Sequence, residues 1–197
     1  MSRRIGGVQG LMTEIERNVR TAAAGDHDAF AAIVRRYQSM VFSMALHFLG
    51  NRSAAEEIAQ DVFLCLYQNL ASVQSEAHLK FWLRKVTGHR CIDSIRSRKD
   101  HVEGEADWRL AEEAAVQPDD GDPLLAGRLQ RLVESLPEVP RLITILRYQE
   151  DLDPSDIATM LEMPVNTVKS HLHRSLALLR KKLSSTSERR RYESYRG

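Results

Sequence analysis

From Asn166 to Leu183 the chain carries amides, hydroxyls, imidazoles and cations, and no carboxylate. Projected on a helix at about 100° per residue, Asn166, Thr167, Ser170, His173 and Arg174 lie opposite an apolar stripe of Val165, Val168, Leu172, Leu176 and Leu179. Lys169 and His171 fall at the flanks. Such groups donate to base edges and neutralise phosphates, whereas a carboxylate there would be repelled by a nucleic-acid backbone. The alternative is a helix whose polar face meets only water. His171 and His173 stand two apart and diverge around a helix, so they read as polar contacts and not as a metal pair.

A second cationic set lies upstream. Lys80, Arg84, Lys85, Arg90, Arg96, Arg98 and Lys99 occur against Asp93 alone, interleaved with Phe81, Trp82 and His89. Cations hold a phosphate strand, and aromatic surfaces receive bases taken out of the stack. The stretch after it reverses sign: Glu103, Glu105, Asp107, Glu112, Glu113, Asp119, Asp120 and Asp122 stand against Arg109 alone. The net charge of +1 conceals this division. No paired carboxylates, metal-ligand cluster, Gly-rich phosphate loop or nucleophile–base arrangement stands out, so neither an enzyme nor a cofactor is expected.

Helices must hold these side chains. Met12 to Ala24 is amphipathic and ends at Gly25; Asp26 caps a second helix with Phe30, Ile33, Val34, Tyr37, Val41, Met44, Ala45 and Phe48 on one face. Gly50 stops it, and Ser53-Ala54-Ala55-Glu56 has the pattern of a capping box for the next. A polar 72–78 loop leads to a helix from about Leu79 to Lys99, with Gly88 costing its middle up to about 1 kcal/mol. Beyond an extended acidic connector, in which Trp108 could seed a short helix, order returns at Arg128. Asp153 is placed to cap a helix that opens with Pro154, and Glu162 stands in the following turn, where Gly is common.

No period-two alternation marks a strand, so the class is all-α: two small helical domains joined by a linker, the second a helix-turn-helix. The division is 1–102, an acidic linker 103–127, 128–183, and a basic, serine-rich tail 184–197. A length of 197 residues accommodates two small cores, and 43% hydrophobic residues exclude a wholly disordered chain. No apolar run approaches the roughly 20 residues that cross a bilayer. The segment MSRRIGGVQG lacks the features of a signal peptide, so a cytoplasmic protein, not membrane-embedded, is expected. Cys65 and Cys91 sit in apolar-periodic segments and read as reduced packing residues.

Four blocks together resemble the extracytoplasmic-function group of bacterial RNA polymerase sigma factors. They are AGDHDAF at 24–30, SAAEEIAQDVFLCLYQNL at 53–70, FWLRKVTGHRCIDSIRSRK at 81–99, and LPEVPRLITILRYQEDLDPSDIATMLEMPVNTVKSHLHRSLALLRKKL at 136–183. The resemblance implies an initiation factor whose first domain binds RNA polymerase core and helps melt the minus-ten element of promoter DNA. The second domain would read the minus-thirty-five element in the major groove, and an anti-sigma protein is an implied partner.

Carried onto this chain, the resemblance makes Gln60, Asp61 and Leu64 the core-binding candidates; Asp61 would equally suit a solvated helix carboxylate. Lys80, Trp82, Arg84, His89 and Arg90 become minus-ten candidates, with Trp82 as suited to a core as to DNA and the 72–78 loop receiving a flipped base. Asp93 would be structural, pairing with Arg96 or Arg90, and Arg96, Arg98 and Lys99 would otherwise be a solvated helix end. Asn166, Thr167, Lys169, Ser170, His171, His173 and Arg174 are the minus-thirty-five candidates. A stand-alone helix-turn-helix regulator, with the first half as dimerisation or sensing domain, is the competing expectation; no sensing site or coiled-coil seam favours it.

Overall fold

The computed structural model describes residues 12–101 and 123–193, which contain eight α-helices and one 3-10 turn and, among those residues, no strand. Trp108, the acidic stretch 103–122 and the last four residues lie outside the described residues. Helices α1 (Glu14–Ala23), α2 (His27–Leu49), α3 (Arg52–Asn69) and α4 (Glu76–His101) form the first unit, with the 3-10 turn Leu70–Ser72 between α3 and α4. Helices α5 (Pro123–Glu134), α6 (Glu138–Tyr148), α7 (Pro154–Met160) and α8 (Val165–Glu193) form the second. No described helix is long and apolar enough to cross a membrane.

Local signals set most boundaries, and several differ from expectation. Thr13 and Glu16 make a reciprocal capping box on α1, and Asp26 caps α2 by accepting from Asp28 N and Ala29 N. Gly50 ends α2 in the left-handed conformation at φ 66°. The box at Ser53 does not form: Asn51 is the cap of α3, accepting from Ala54 N at 2.9 Å, while Glu56 turns to Arg52. Helix α4 starts three residues before Leu79, because the Ser75 hydroxyl accepts from His78 N at 3.1 Å. The loop before it is shortened accordingly to residues 73–75.

The second unit begins earlier and ends later than the sequence suggests. Residues 123–127, read as linker, are the first turns of α5, with Pro123 at the helix start where a missing N–H costs nothing. Helix α8 continues through much of the expected tail to Glu193. Pro140 lies inside the first turn of α6.

Ile33, Met44, Phe48, Leu66, Leu79 and Leu83 fill the interior of the first unit; Leu142, Ile143, Leu146, Ile157, Met160 and Val168 fill the second. These residues belong to one continuous buried cluster, so the two units pack together. Cys91 is buried there, which pushes its thiol up to about 12 and keeps it protonated, and Cys65 is also free.

The contact between units is built on the end of α2. The Gly50 N–H returns to Leu46 O, and two further last-turn carbonyls are reached from across the interface. Gln130 Nε2 donates to His47 O at 3.0 Å, and Arg141 Nη1 donates to Phe48 O at 2.8 Å. The Arg141 guanidinium also lies 5.3 Å from the centre of the Phe48 ring and donates to Leu136 O and Glu134 O. A cation at the negative end of α2 is favourably placed. Burial nevertheless pulls the Arg141 pKa below its usual value, opposed by Glu134 and Glu138.

Candidate nucleic-acid interface

Helix α7 and helix α8 make the helix-turn-helix. Asp153 holds the N-cap position of α7 with extended backbone, yet its side chain makes no cap and instead stands 3.7 Å from Arg147. At the other end Met163 N returns to Ala158 O at 3.0 Å, which leaves Glu162 in the left-handed conformation at φ 53°. A glycine would be at ease there; Glu162 adopts it at a modest backbone cost.

The turn aims α8 so that Val168, Leu172, Ser175 and Leu179 are buried, a spacing of four, three and four. Ser175 thus takes the place expected for Leu176, which is half-buried, and Val165 is more exposed than a stripe residue should be. Asn166, Thr167, Lys169, Ser170, His173 and Arg174 are exposed, and His171 is half-buried. Asn166, Thr167, Ser170, His171 and Arg174 line one shallow concavity of about 240 Å³. Lys169 and His173 are outside its lining. Donors and a cation therefore converge on one surface.

The cations of α4 are arranged differently. Lys80 Nζ lies 2.9 Å from Glu76 Oε1, one turn earlier on the same helix. Arg84 Nε lies 2.8 Å from Glu150 Oε2, with the two side chains only 19% and 6% exposed. Lys85 Nζ lies 2.7 Å from Glu162 Oε1, and Arg96 Nε 3.5 Å from Glu138 Oε2. His89 and Arg90 are exposed, while Trp82 is half-buried and packs on the core. Arg96 is accordingly not a merely solvated end, and the expected pairing of Asp93 with Arg96 or Arg90 is not found among the described residues. Lys85, counted in the basic run but not among the minus-ten candidates, is also a contact-forming cation.

On α3, Gln60, Asp61 and Leu64 are all exposed, and Leu64 stands out as a large apolar side chain 59% exposed. Gln60 lines a groove of about 460 Å³ between α2 and α3, with Val34, Phe42, Ala59 and Phe63 as its apolar walls. Asp61 and Leu64 stand on the same helix outside that lining. The groove's aromatic wall at Phe42 and Phe63 is a feature that the α3 sequence alone did not disclose. No group of three or more His, Cys, Asp or Glu among the described residues is placed to hold a metal ion.

Residues 33–101 match the Sigma-70 region 2 family model, and residues 126–179 match the model of Sigma-70, region 4. Over 185 residues the chain is 31% identical to the ECF RNA polymerase sigma factor SigW of Bacillus subtilis, a match that spans 86% of this chain and 96% of that protein. The chain belongs to the ECF group of RNA polymerase sigma factors. This sigma factor is a transcription initiation factor: it binds RNA polymerase core and promoter DNA and directs the polymerase to promoters.

It is also 27% identical over 180 residues to the RNA polymerase sigma-H factor of Pseudomonas aeruginosa, covering 84% of this chain and 91% of that one. In fold it is similar to RpoE of Bartonella quintana in a structure with the anti-sigma factor NepR, with a TM-score of 0.67 and 20% identity. That match covers 79% of this chain and 96% of the other. CnrH, in complex with the cytosolic domain of CnrY, matches with a TM-score of 0.65 and 18% identity, over 88% of this chain and 99% of that chain.

Proposed function

We propose that this sigma factor divides promoter recognition between its two units, with α8 reading the duplex minus-thirty-five element and α4 holding the melted minus-ten strand. In this reading residues to 102 form the core-binding and melting domain, and the second domain begins with α5. The reading rests on one contrast: the exposed face of α8 offers amides, hydroxyls and cations, among them Asn166, Ser170 and Arg174, with no carboxylate beside them. A base edge is read by such groups, whereas Lys80, Arg84 and Arg90 with the aromatic Trp82 suit a single strand. The α2–α3 groove, with Gln60 on its rim and Asp61 and Leu64 beside it, suits docking on polymerase core, because exposed apolar surface next to polar anchors is typical of such interfaces.

The factor acts in the cytoplasm, where the polymerase is, and works by binding alone, without a catalytic step of its own. RpoE, of the same fold, is held by the anti-sigma factor NepR in its solved structure, which supports an anti-sigma partner for this chain as well. Run-off transcription with core polymerase and a pool of genomic promoters tests the reading. Core captured by the chain and start sites appearing only in its presence are expected. A chain that binds duplex DNA tightly but never binds core would sink it.

A further inference from the structure

The concavity on α8 leaves two of the seven expected contact residues outside its lining, Lys169 and His173. On a helix of about 100° per residue these two share one edge, within about 40°, with a third side chain, Arg180. All three are exposed. Lys169 and Arg180 have no ion-pair partner among the described residues, whereas Lys80, Arg84, Lys85 and Arg96 of α4 each meet a carboxylate. No Asp or Glu occurs from Asn166 to Leu183 to compete for them. Arg180 also lies just beyond the stretch that matches the region 4 model, which ends at residue 179.

The turn that carries Arg180 is braced. Leu179 beside it is buried, and on the opposite edge Lys182 Nζ donates to Ser135 Oγ at 2.6 Å. From α5, Arg128 Nη2 donates to Leu183 O at 3.4 Å. A cation on a turn already held in place loses less freedom on binding than one on a frayed helix end. Its position along α8 matters too, because Arg180 stands about 9 Å beyond Arg174 on the helix axis. In a major groove about 12 Å wide, a helix whose first turns reach base edges brings its later turns to the phosphate wall.

The geometry points to two binding surfaces on α8. Asn166, Ser170 and Arg174 face base edges from the concavity, while Lys169, His173 and Arg180 form a rail along one sugar-phosphate strand of the duplex, with Arg180 at its outer end. The rail supplies affinity and fixes how far α8 enters the groove, and carries no sequence preference of its own. The proposal rests on the reading of α8 as the duplex reader.

Holoenzyme made from core polymerase and the full-length chain tests it. Binding to a fluorescein-labelled promoter duplex, and to the same duplex with only the minus-thirty-five element scrambled, is followed by anisotropy between about 50 and 200 mM salt. Arg180→Gln is expected to lower the slope of log K against log salt by about 0.9 and to weaken both duplexes alike, about eightfold near 0.1 M salt, with parent and variant converging towards 1 M. Arg180→Lys should keep the slope, and Arg174→Ala should narrow the preference between the two duplexes.

A loss from Arg180→Gln that is the same at every salt concentration would assign Arg180 to folding or to a protein contact and overturn the rail. A loss confined to the promoter duplex would make Arg180 a base reader and overturn it equally. If Arg174→Ala is defective and Arg180→Gln is not, the rail falls and the reading of α8 stands. If neither variant changes binding, α8 does not touch the duplex and both fall.

Discussion

Leu142 of α6 sits against the bare backbone of Gly88 in α4: a Cβ at Gly88 would come within 3.0 Å of Leu142 Cδ2 and 3.2 Å of Cδ1. Leu142 is fully buried, and Met44 stands 3.5 Å from the same point, so neither neighbour has open space to move into. The glycine that weakens α4 as a helix is thus what lets the two units close. Gly88→Ala should gain up to about 1 kcal/mol in helix propensity and lose roughly 1 to 3 kcal/mol in crowding at the contact. The expected outcome is a stiffer α4 with a weaker contact between units, seen as lower hydrogen-exchange protection for α6 than for α4.

Arg141 makes the opposite kind of contribution, through polar groups that no other residue can reach in the same way. Its planar guanidinium serves Phe48 O, Leu136 O and Glu134 O together, with the Phe48 ring beneath it. Lysine has no such fork. Arg141→Lys should therefore cost nearly as much as Arg141→Met, about 2 kcal/mol from charge-assisted hydrogen bonds left unmade. Urea unfolding of the two variants measures it; a lysine variant as stable as the parent would show that only the charge matters.

Leu64 offers a test free of such structural cost. Being mostly exposed on α3, it contributes little to folding, and Leu64→Asp should leave stability within about 0.5 kcal/mol. If the α2–α3 face docks on polymerase, the same change places a charge in a desolvated contact and should weaken core binding by about 2 kcal/mol or more. Titration of labelled core with parent and variant gives the difference directly, and equal affinities would move the docking face elsewhere.

The helical class and the helix-turn-helix were legible because their signals are local. Asp26, Gly50 and Pro154 each act within one turn of where they stand. The errors were also local, and have local causes. Asn51 displaced Ser53 as a cap because it holds extended backbone two residues earlier and accepts from Ala54 N, and Ser75 started α4 before its first apolar residue. What no periodicity could show is the pairing of Arg84 with Glu150 or Lys85 with Glu162. Each cation looked like a free member of a basic run, and each carboxylate like a solvated turn residue. Partners so distant in the chain are specified by how the two units close, which depends on Gly88, Leu142 and Arg141 together.

The first turn of α4 carries a pH-sensitive junction. Glu76 Oε1 accepts from Lys80 Nζ at 2.9 Å and from Tyr37 OH at 3.1 Å. The hydrogen bond from Lys80 chiefly holds the Glu76 carboxyl below its usual pKa, with Tyr37 assisting and burial opposing. Burial first, and then Glu76, pushes the Tyr37 phenol up to about 12. A carboxyl depressed in the folded state stabilises it above about pH 4.3, and that stability is lost as pH falls through the lower folded value. A raised phenol contributes fully below about pH 10 and loses its contribution as pH rises towards 12. Glu76→Gln should flatten the acid limb of the stability profile and Tyr37→Phe the alkaline limb, with melting temperature against pH as the measurement.

The division of labour between α8 and α4 predicts separable defects in the assembled holoenzyme. Arg174 is exposed and lines the concavity with Asn166 and Ser170, so Arg174→Ala should weaken closed-complex formation on the duplex by about 1 to 3 kcal/mol if it reads a base edge. Strand opening, once bound, should be little changed. Lys80→Ala with Arg84→Ala should do the reverse, since phosphates of the melted strand would replace Glu76 and Glu150 as the partners of these two cations. Duplex affinity by footprinting and opening by permanganate reactivity of unpaired thymines separate the steps. Equal losses from both variants in both assays would mean that the two helices act on one step and not on two.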